Sequence, residues 1–149
     1  MCGILGYFQT EKNYFNQNNI DKFNKLLNNH SHRGPDNKGF FTDKEKSLYL
    51  GHTRLSIVDL TNNSNQPILS LDKNLIMVFN GEIYNHDQLF NRIKRLDVPE
   101  SIKNSDTRTL IEHISEFGLL DTLKIVNGMF AIAIYDILNK KLFLTRDYW

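Results

Sequence analysis

The chain has 149 residues, enough for one domain with its own core, and we treat residues 1–149 as that single domain. Its 18 Lys and Arg against 17 Asp and Glu give a formal net charge of +1, which offers no basic surface for nucleic acid. No apolar run reaches the ~20 residues of a membrane span, no signal peptide opens the sequence, and one cysteine cannot form an internal disulfide. We therefore expect a cytoplasmic protein with no membrane contact.

Strand-like and helix-like segments alternate along the chain and predict an α+β domain, with helices packed on one side of the strands. Apolar or glycine-punctuated runs predict strands at residues 3–8, 39–42, 48–58, 75–79, 129–135 and 142–145, the last two joined as a hairpin. A polar turn is predicted at 14–19, and apolar spacing predicts helices at 20–29, 89–96 and 110–117. Asp106 or Thr107 is a candidate cap for the last helix. Loops are expected at 33–36 and at 66–67, because Gly and Pro interrupt regular structure there.

Cys2 is the only cysteine, and it directly follows Met1. If Met1 is removed, one residue carries both a thiol and a free α-amine. A thiol and an α-amine titrate within about one pH unit of each other, so the amine can act as base for the sulfur. Cys2 is therefore a candidate nucleophile for attack on an acyl group. The alternative is a small buried residue, because free cysteine is often buried.

The pair Asn80-Gly81 follows an apolar strand and has two interpretations. Asn-Gly is the strongest short signal for a hairpin turn. Alternatively, the Asn side-chain amide and the Gly N–H converge on one developing negative charge and form an oxyanion hole.

Arg54 stands within an otherwise apolar strand and needs a partner. It is predicted either to pair with Asp59 or to clamp a carboxylate through two parallel hydrogen bonds. Glu82 and Asp106 are ordinary cap or surface residues when considered separately. Together with Arg54 they form a set suited to an amino acid, with the arginine on its carboxylate and the acids on its ammonium.

His30, His32 and His52 raise the possibility of a metal site, but neither a second cysteine nor an acidic partner stands at a familiar ligand spacing. We expect these histidines to brace loops or to lie at the surface.

Seven motifs combine these residues in one order along the whole chain. They are Met1-Cys2-Gly3-Ile4, His32-Arg33-Gly34-Pro35-Asp36, the run from Gly51 to Asp59, Gln66-Pro67, Asn80-Gly81-Glu82-Ile83-Tyr84-Asn85, Ser105-Asp106-Thr107 and Gly128-Met129-Phe130-Ala131. In this order they resemble class II glutamine amidotransferase domains, most of all the glutaminase half of glutamine-hydrolysing asparagine synthetase. In the run from Gly51 to Asp59, the sequence Arg54-Leu55-Ser56 is similar to that of the asparagine synthetase branch of the family.

The resemblance implies an N-terminal-nucleophile hydrolase fold, in which two sheets lie between helical layers in an αββα sandwich. It implies that Cys2 attacks the side-chain amide of L-glutamine while Asn80 and Gly81 hold the oxyanion. The remaining implied glutamine-binding residues are Arg54, Leu55, Ser56, Ile57, Val58, Glu82 and Asp106. No metal or organic cofactor is needed for this half-reaction, and the ammonia would pass to a separate ATP-dependent synthetase domain or subunit.

Two features depart from that family. Arg108 stands where the family usually has an acidic residue, and it would place a positive charge beside Asp106. The family also continues well beyond Arg146-Asp147, so we expect a domain that is incomplete at its C-terminus and lacks the synthetase domain. Two functions are therefore considered: a small glutaminase, and a non-catalytic remnant or interaction module.

Overall fold

The computed structural model describes residues 2–9, 15–45, 47–56 and 64–148. Its strands are β1 Gly3–Phe8, β2 Asn37–Asp43, β3 Leu48–Arg54, β4 Ile68–Leu69, β5 Leu75–Ile83, β6 Gly128–Asp136 and β7 Lys141–Arg146. Its helices are α1 Gln17–Asn29, α2 His86–Phe90, α3 Asp106–Phe117 and α4 Leu119–Leu123, with a 3₁₀ helix at Glu100–Asn104. The first sheet has the order β1-β3-β2 and the second has the order β4-β5-β6-β7, with antiparallel pairing throughout.

Alternation along the strands sets the order of the layers, because successive side chains point to opposite faces of a sheet. Leu48 and Leu50 of β3 pack against Ile76 and Val78 of β5, so the two sheets face each other across one core. Tyr49 points the other way and packs with α1. The opposite face of β5 packs on α3. The layers therefore run α1, first sheet, second sheet, α3, and none of the described helices is long and apolar enough to span a membrane.

The core between the sheets gives a first testable prediction. Leu50 is 1% exposed, and Leu50→Ala should lower the free energy of unfolding by roughly 2–5 kcal/mol, because the cavity left behind is only partly refilled. Leu144→Ala is the matched control, since Leu144 on β7 is 73% exposed, and its effect should stay within about 0.5 kcal/mol. Urea unfolding measures both variants, and equal losses would contradict this assignment of the core.

The α+β class and the β6–β7 hairpin are confirmed, but several element boundaries were wrong. The first helix begins at Gln17, inside the predicted turn, because Asn16 and Asn19 form a reciprocal capping box. The cap of α3 is Ser105, whose side chain accepts the Arg108 N–H, and neither Asp106 nor Thr107. The helices lie on two sides of the sheets and not on one.

The region predicted as a helix at 89–96 is helical only at its beginning, since α2 ends at Phe90. Leu96 is fully exposed, so its helical spacing from Leu89 was coincidental. The backbone N–H groups of Lys94 and Arg95 instead donate to the Glu116 carboxylate of α3. These hydrogen bonds favour a turn at this point.

The interpretation of Asn80-Gly81 as a hairpin turn was also wrong, because β5 continues through both residues to Ile83 and pairs with β6 over its whole length. A Cβ on Gly81 would lie only 2.1 Å from the Met129 carbonyl oxygen, so the glycine permits a close approach of two backbones. The strand predicted at 48–58 ends at Arg54, and its positions 57–58 lie outside the described residues.

Candidate active site

A cavity of about 460 Å³ opens at one end of the layer between the two sheets. On β3 and β5, the cavity begins where the row of apolar residues that face the core ends. On β3 the row from Leu48 and Leu50 continues to Arg54, and on β5 the row from Ile76 and Val78 continues to Asn80. The same alternation that builds the core therefore directs the polar residues at the strand ends into the cavity.

Cys2 lies immediately before β1 and lines this cavity. Its Sγ accepts a hydrogen bond from the Leu55 N–H at 3.4 Å and lies 3.7 Å from the Leu55 carbonyl oxygen, to which the thiol donates. Cys2 is half-buried, so the sulfur is held in place and still reaches the cavity. A second cavity, lined by Gly3, His30 and Arg33 among others, also includes Cys2.

Arg54 projects from the last position of β3 and is 6% exposed. Its Nη1 donates to Asn65 Oδ1 at 2.8 Å. Asp59, the other partner considered from the sequence, lies outside the described residues. Arg54 lines the cavity with its guanidinium partly oriented by the protein, as a carboxylate clamp requires.

The loop at 33–36 braces the backbone beside Cys2 and Arg54. The Asp36 N–H donates to the Arg54 carbonyl at 3.0 Å, and its carboxylate accepts the Ser56 N–H at 2.7 Å. Gly34 lies so close to β3 that a Cβ there would stand 2.4 Å from the Thr53 carbonyl oxygen. This is why the loop carries glycine at that position.

The backbone groups of β5 that face away from β6 show how the Gly81 N–H reaches the cavity. In an antiparallel pair, successive residues direct their N–H and C=O groups alternately toward and away from the neighbouring strand. The Phe79 N–H donates to Gln66 Oε1, and the Ile83 N–H donates to Asp106 Oδ2 at 3.1 Å, so both residues turn away from β6. Gly81 lies midway between them, and its N–H therefore points from β6 toward the cavity.

Asp106 is the first residue of α3 and is 8% exposed. Its Oδ1 accepts the Thr107 N–H at 2.6 Å, while its Oδ2 accepts the N–H of Ile83. These bonds fix the carboxylate at the wall of the cavity. Glu82, on β5, lines the same cavity but is exposed, so only Asp106 is rigidly held.

The charges around the cavity suit a small zwitterion. Among the described residues, its lining includes two arginines, Arg54 and Arg146, and three acidic residues, Glu82, Asp106 and Asp147. A free amino acid presents one carboxylate and one ammonium, so both of its charges find a counter-charge here.

Most of the residues predicted from the sequence are brought together in this cavity, namely Cys2, Arg54, Leu55, Asn80, Gly81, Glu82 and Asp106. Ser56 is not among the described residues of its lining, and its N–H is taken by Asp36. Ile57 and Val58 lie outside the described residues.

Several lining residues received no role from the sequence, among them Ser64, Gln66, Phe130 and Asp147. Gln66 and Phe130 belong to motifs recognised in the sequence. Those motifs located the segments that line the cavity, but they did not show what these two residues do there. The Asp147 carboxylate accepts the Phe130 N–H at 2.7 Å and continues the β6–β7 pairing at the cavity wall.

Arg108 does not stand among the described lining residues, although its neighbour Asp106 does. Its Nη1 donates to the Leu69 carbonyl at 3.1 Å, which draws the guanidinium toward β4. His30 and His32 each donate through Nδ1 to a carbonyl at the end of α1, of Leu26 and Asn29 respectively. Within the described part of the chain, no group of three His, Cys, Asp or Glu residues is placed to hold a metal ion.

The expectation for His52 was wrong, because it lies within β3 and is fully buried between the core and the cavity, and it gives a prediction about acid stability. Burial, together with the nearby Arg54 charge, lowers its pKa from 6.5 to about 4. Between about pH 6.5 and pH 4, the His52 imidazole is therefore protonated in the unfolded chain but neutral in the folded chain. The free energy of unfolding falls as the pH drops through this window, because protonation favours the unfolded chain. The expected loss is roughly 3 kcal/mol. Urea unfolding at pH 7 and pH 4.5 should show a smaller loss for His52→Gln, and parallel pH profiles would contradict the assignment.

Comparison with known proteins adds sequence evidence to this geometry. A family model described as a glutamine amidotransferase domain matches residues 1–149. The chain is 34% identical to a putative glutamine-hydrolyzing asparagine synthetase 2 of Methanocaldococcus jannaschii, over 99% of this chain and 30% of that protein. It is 32% identical to the glutamine-hydrolyzing asparagine synthetase of Zea mays, over 99% of this chain and 24% of that protein. A Bacillus subtilis relative, glutamine-hydrolyzing asparagine synthetase 2, is 30% identical over 99% of this chain and 19% of its own length. The chain thus spans less than a third of these curated relatives.

Proposed function

The chain belongs to the glutamine amidotransferase domain family, and on that premise we propose that it hydrolyses the side-chain amide of L-glutamine to glutamate and ammonia through a thioester on Cys2. The observation that carries the proposal is the meeting of four groups in one cavity. These are the half-buried thiol of Cys2, the Asn80-Gly81 pair, the guanidinium of Arg54 and the fixed carboxylate of Asp106.

In the proposed binding mode, Arg54 takes the α-carboxylate of glutamine, and Asp106 and Glu82 take its α-ammonium. This fixes the amino-acid end and directs the side-chain carboxamide toward Cys2. Leu55 contributes backbone to the wall, and Ser56, Ile57 and Val58 are proposed to extend it.

The proposed reaction begins after removal of Met1. The Cys2 thiol gives its proton to its own α-amine, and the sulfur attacks the carboxamide carbon. The Asn80 side-chain amide and the Gly81 N–H stabilise the negative oxygen that forms. The α-ammonium of Cys2 then gives its proton to the leaving nitrogen. Ammonia departs, and a thioester between Cys2 and the glutamyl group remains. Water, activated by the amine, attacks the thioester and releases glutamate with the free thiol.

The direct test is to incubate the purified chain, with its natural N-terminus, with L-glutamine and to measure both products. Glutamate and ammonia should appear in equal amounts, and L-asparagine, shorter by one methylene, should be a poor substrate. Release of neither product from L-glutamine by the folded protein would overturn the proposal and favour the non-catalytic interaction module.

The carboxylate clamp gives a further prediction. Arg54→Lys should raise KM for glutamine roughly ten- to one-hundred-fold with a smaller change in kcat, because a point charge replaces a planar fork. The matched control is Arg146→Lys, since Arg146 lines the cavity but is exposed and pairs with Asp147. Steady-state kinetics decides, and a KM for Arg54→Lys no higher than that of Arg146→Lys would count against the clamp.

The fate of the ammonia is also part of the proposal. Relatives named as glutamine-hydrolyzing asparagine synthetases extend far beyond the matched region, and we infer that the ammonia serves an ATP-dependent synthetase domain or subunit. The layer order α1, sheet, sheet, α3 supports assignment to the αββα sandwich of N-terminal-nucleophile hydrolases. These activities would operate in the cytoplasm.

A further inference from the structure

β4 is only two residues long, and this leaves part of the β5 edge to be completed by side chains. Its register pairs Ile68 with Met77, so a longer strand would place residue 66 opposite Phe79. Instead, the Gln66 side chain accepts the Phe79 N–H, and His52 Nε2 lies 3.0 Å from the Phe79 carbonyl oxygen. Two side chains thus bind the edge groups of Phe79, immediately before Asn80.

The His52 bond joins the two sheets. His52 belongs to β3 in the first sheet, two residues before Arg54, whereas Phe79 belongs to β5 in the second. A carbonyl oxygen can only accept, so Nε2 carries the hydrogen and Nδ1 is bare. Nδ1 is buried without a hydrogen-bond partner in the described part of the chain. The lowered pKa of His52 keeps the ring neutral at neutral pH, in the form that makes this single bond.

We propose that His52 is a positioning residue for the oxyanion hole, in that it holds the Phe79 carbonyl and so fixes the peptide that leads into Asn80 and Gly81. The proposal rests on the proposed glutamine hydrolysis. The same segment of β3 carries Arg54, so the bond sets the spacing between the carboxylate clamp and the oxyanion donors. His52 does not stand among the described lining residues of the cavity, and it acts only through Phe79.

A displaced oxyanion donor affects the transition state more than the bound substrate, which distinguishes this role from simple packing. A packing role predicts loss of stability with kcat unchanged in the protein that remains folded. A positioning role predicts a lower kcat with KM nearly constant, and recovery of kcat when the donor is restored.

The test compares His52→Met, which removes the donor, with His52→Gln, whose amide nitrogen can occupy the place of Nε2. His52→Met should lower kcat roughly tenfold or more, since small displacements of reacting groups are costly, while KM stays within about threefold. His52→Gln should retain kcat within about threefold of the natural protein. If His52→Met does not fold, His52→Asn replaces it, because its shorter amide stops short of the Phe79 carbonyl.

The control for lost stability is Leu48→Ala, which removes an equally buried side chain from the same face of β3, far from the cavity. It should unfold more easily yet keep its kcat. Equal kcat values for the Met and Gln variants, or a similar fall in kcat for Leu48→Ala, would overturn the positioning role.

Amide hydrogen exchange provides a readout that does not depend on activity. The amides of Phe79 and Asn80, which are hydrogen-bonded to Gln66 and within the β5–β6 pair, should exchange faster in His52→Met than in His52→Gln, whereas Leu48→Ala should not single them out. Identical exchange in the Met and Gln variants would overturn the inference even in an active enzyme. An inactive natural protein that shows the expected exchange difference would instead contradict only the glutamine hydrolysis and leave the structural link standing.

Discussion

Cys2→Ala should abolish formation of glutamate from glutamine, a loss on the order of 10⁶-fold in kcat by comparison with enzymes stripped of their nucleophile. The thiol is the only proposed group that forms a bond to the substrate, so no neighbour in the cavity replaces it. The change removes one atom from a half-buried side chain, and the thermal midpoint should stay close to that of the natural protein. Coupled detection of glutamate, with ammonia measured in parallel, gives the activity.

Two controls separate the thiol from its amine. A glutamine analogue with a diazoketone in place of the carboxamide should label the natural protein once, and peptide mass spectrometry should place the adduct on Cys2, the single cysteine. A variant with one extra residue retained before Cys2 keeps the thiol but blocks the amine, and it should be inactive. Full activity in either Cys2→Ala or the extended variant would rule out the N-terminal thiol mechanism.

Asn80→Ala should lower kcat by about 10²–10³-fold and leave KM nearly unchanged, because its side-chain amide is proposed to contact the oxygen only once negative charge develops. Asn80 lies where the core row of β5 reaches the cavity, so truncation removes the donor without opening the apolar core. Steady-state kinetics on the two proteins measures the effect.

Asn80→Asp provides the isosteric control. It preserves the shape of the side chain but replaces a donor by an acceptor, so its kcat should fall at least as far as that of Asn80→Ala. The finding that would reject Asn80 as an oxyanion donor is a kcat for Asn80→Asp close to that of the natural protein while Asn80→Ala is impaired, since shape alone would then account for the residue.

The sequence predicted the strand cores well, because apolar runs such as 75–79 report burial directly. The sequence-based predictions failed where the pairing of strands overrides the local conformational preference of the residues. Asn80-Gly81 is a strong turn signal in isolation, but the backbone of β6 approaches so closely that the glycine is needed within the strand. The region around Leu96 failed for a related reason, since the contact between Glu116 and the Lys94 N–H cannot be inferred from spacing along one segment.

The candidate site was predictable to the extent that its residues stand in motifs. Cys2 and Arg54 combine unusual local chemistry with a familiar order along the chain, Asp106 is marked by that order alone, and the cavity includes all three. The parts played by Gln66 and His52 depend on where β4 stops and on how the sheets align, which are properties of the tertiary structure. Sequence patterns therefore identify the reacting groups more readily than the groups that hold them.

The division of the site between two sheets bears on how the molecule acquires its chemistry. Cys2 and Arg54 lie on or beside strands of the first sheet and Asn80 lies on the second, so residues distant along the chain must meet before the proposed reaction centre is assembled. Closing such long loops is entropically slow compared with forming helices or hairpins. Because the two sheets also share the core between them, the proposed site should form only when they dock, in one cooperative step.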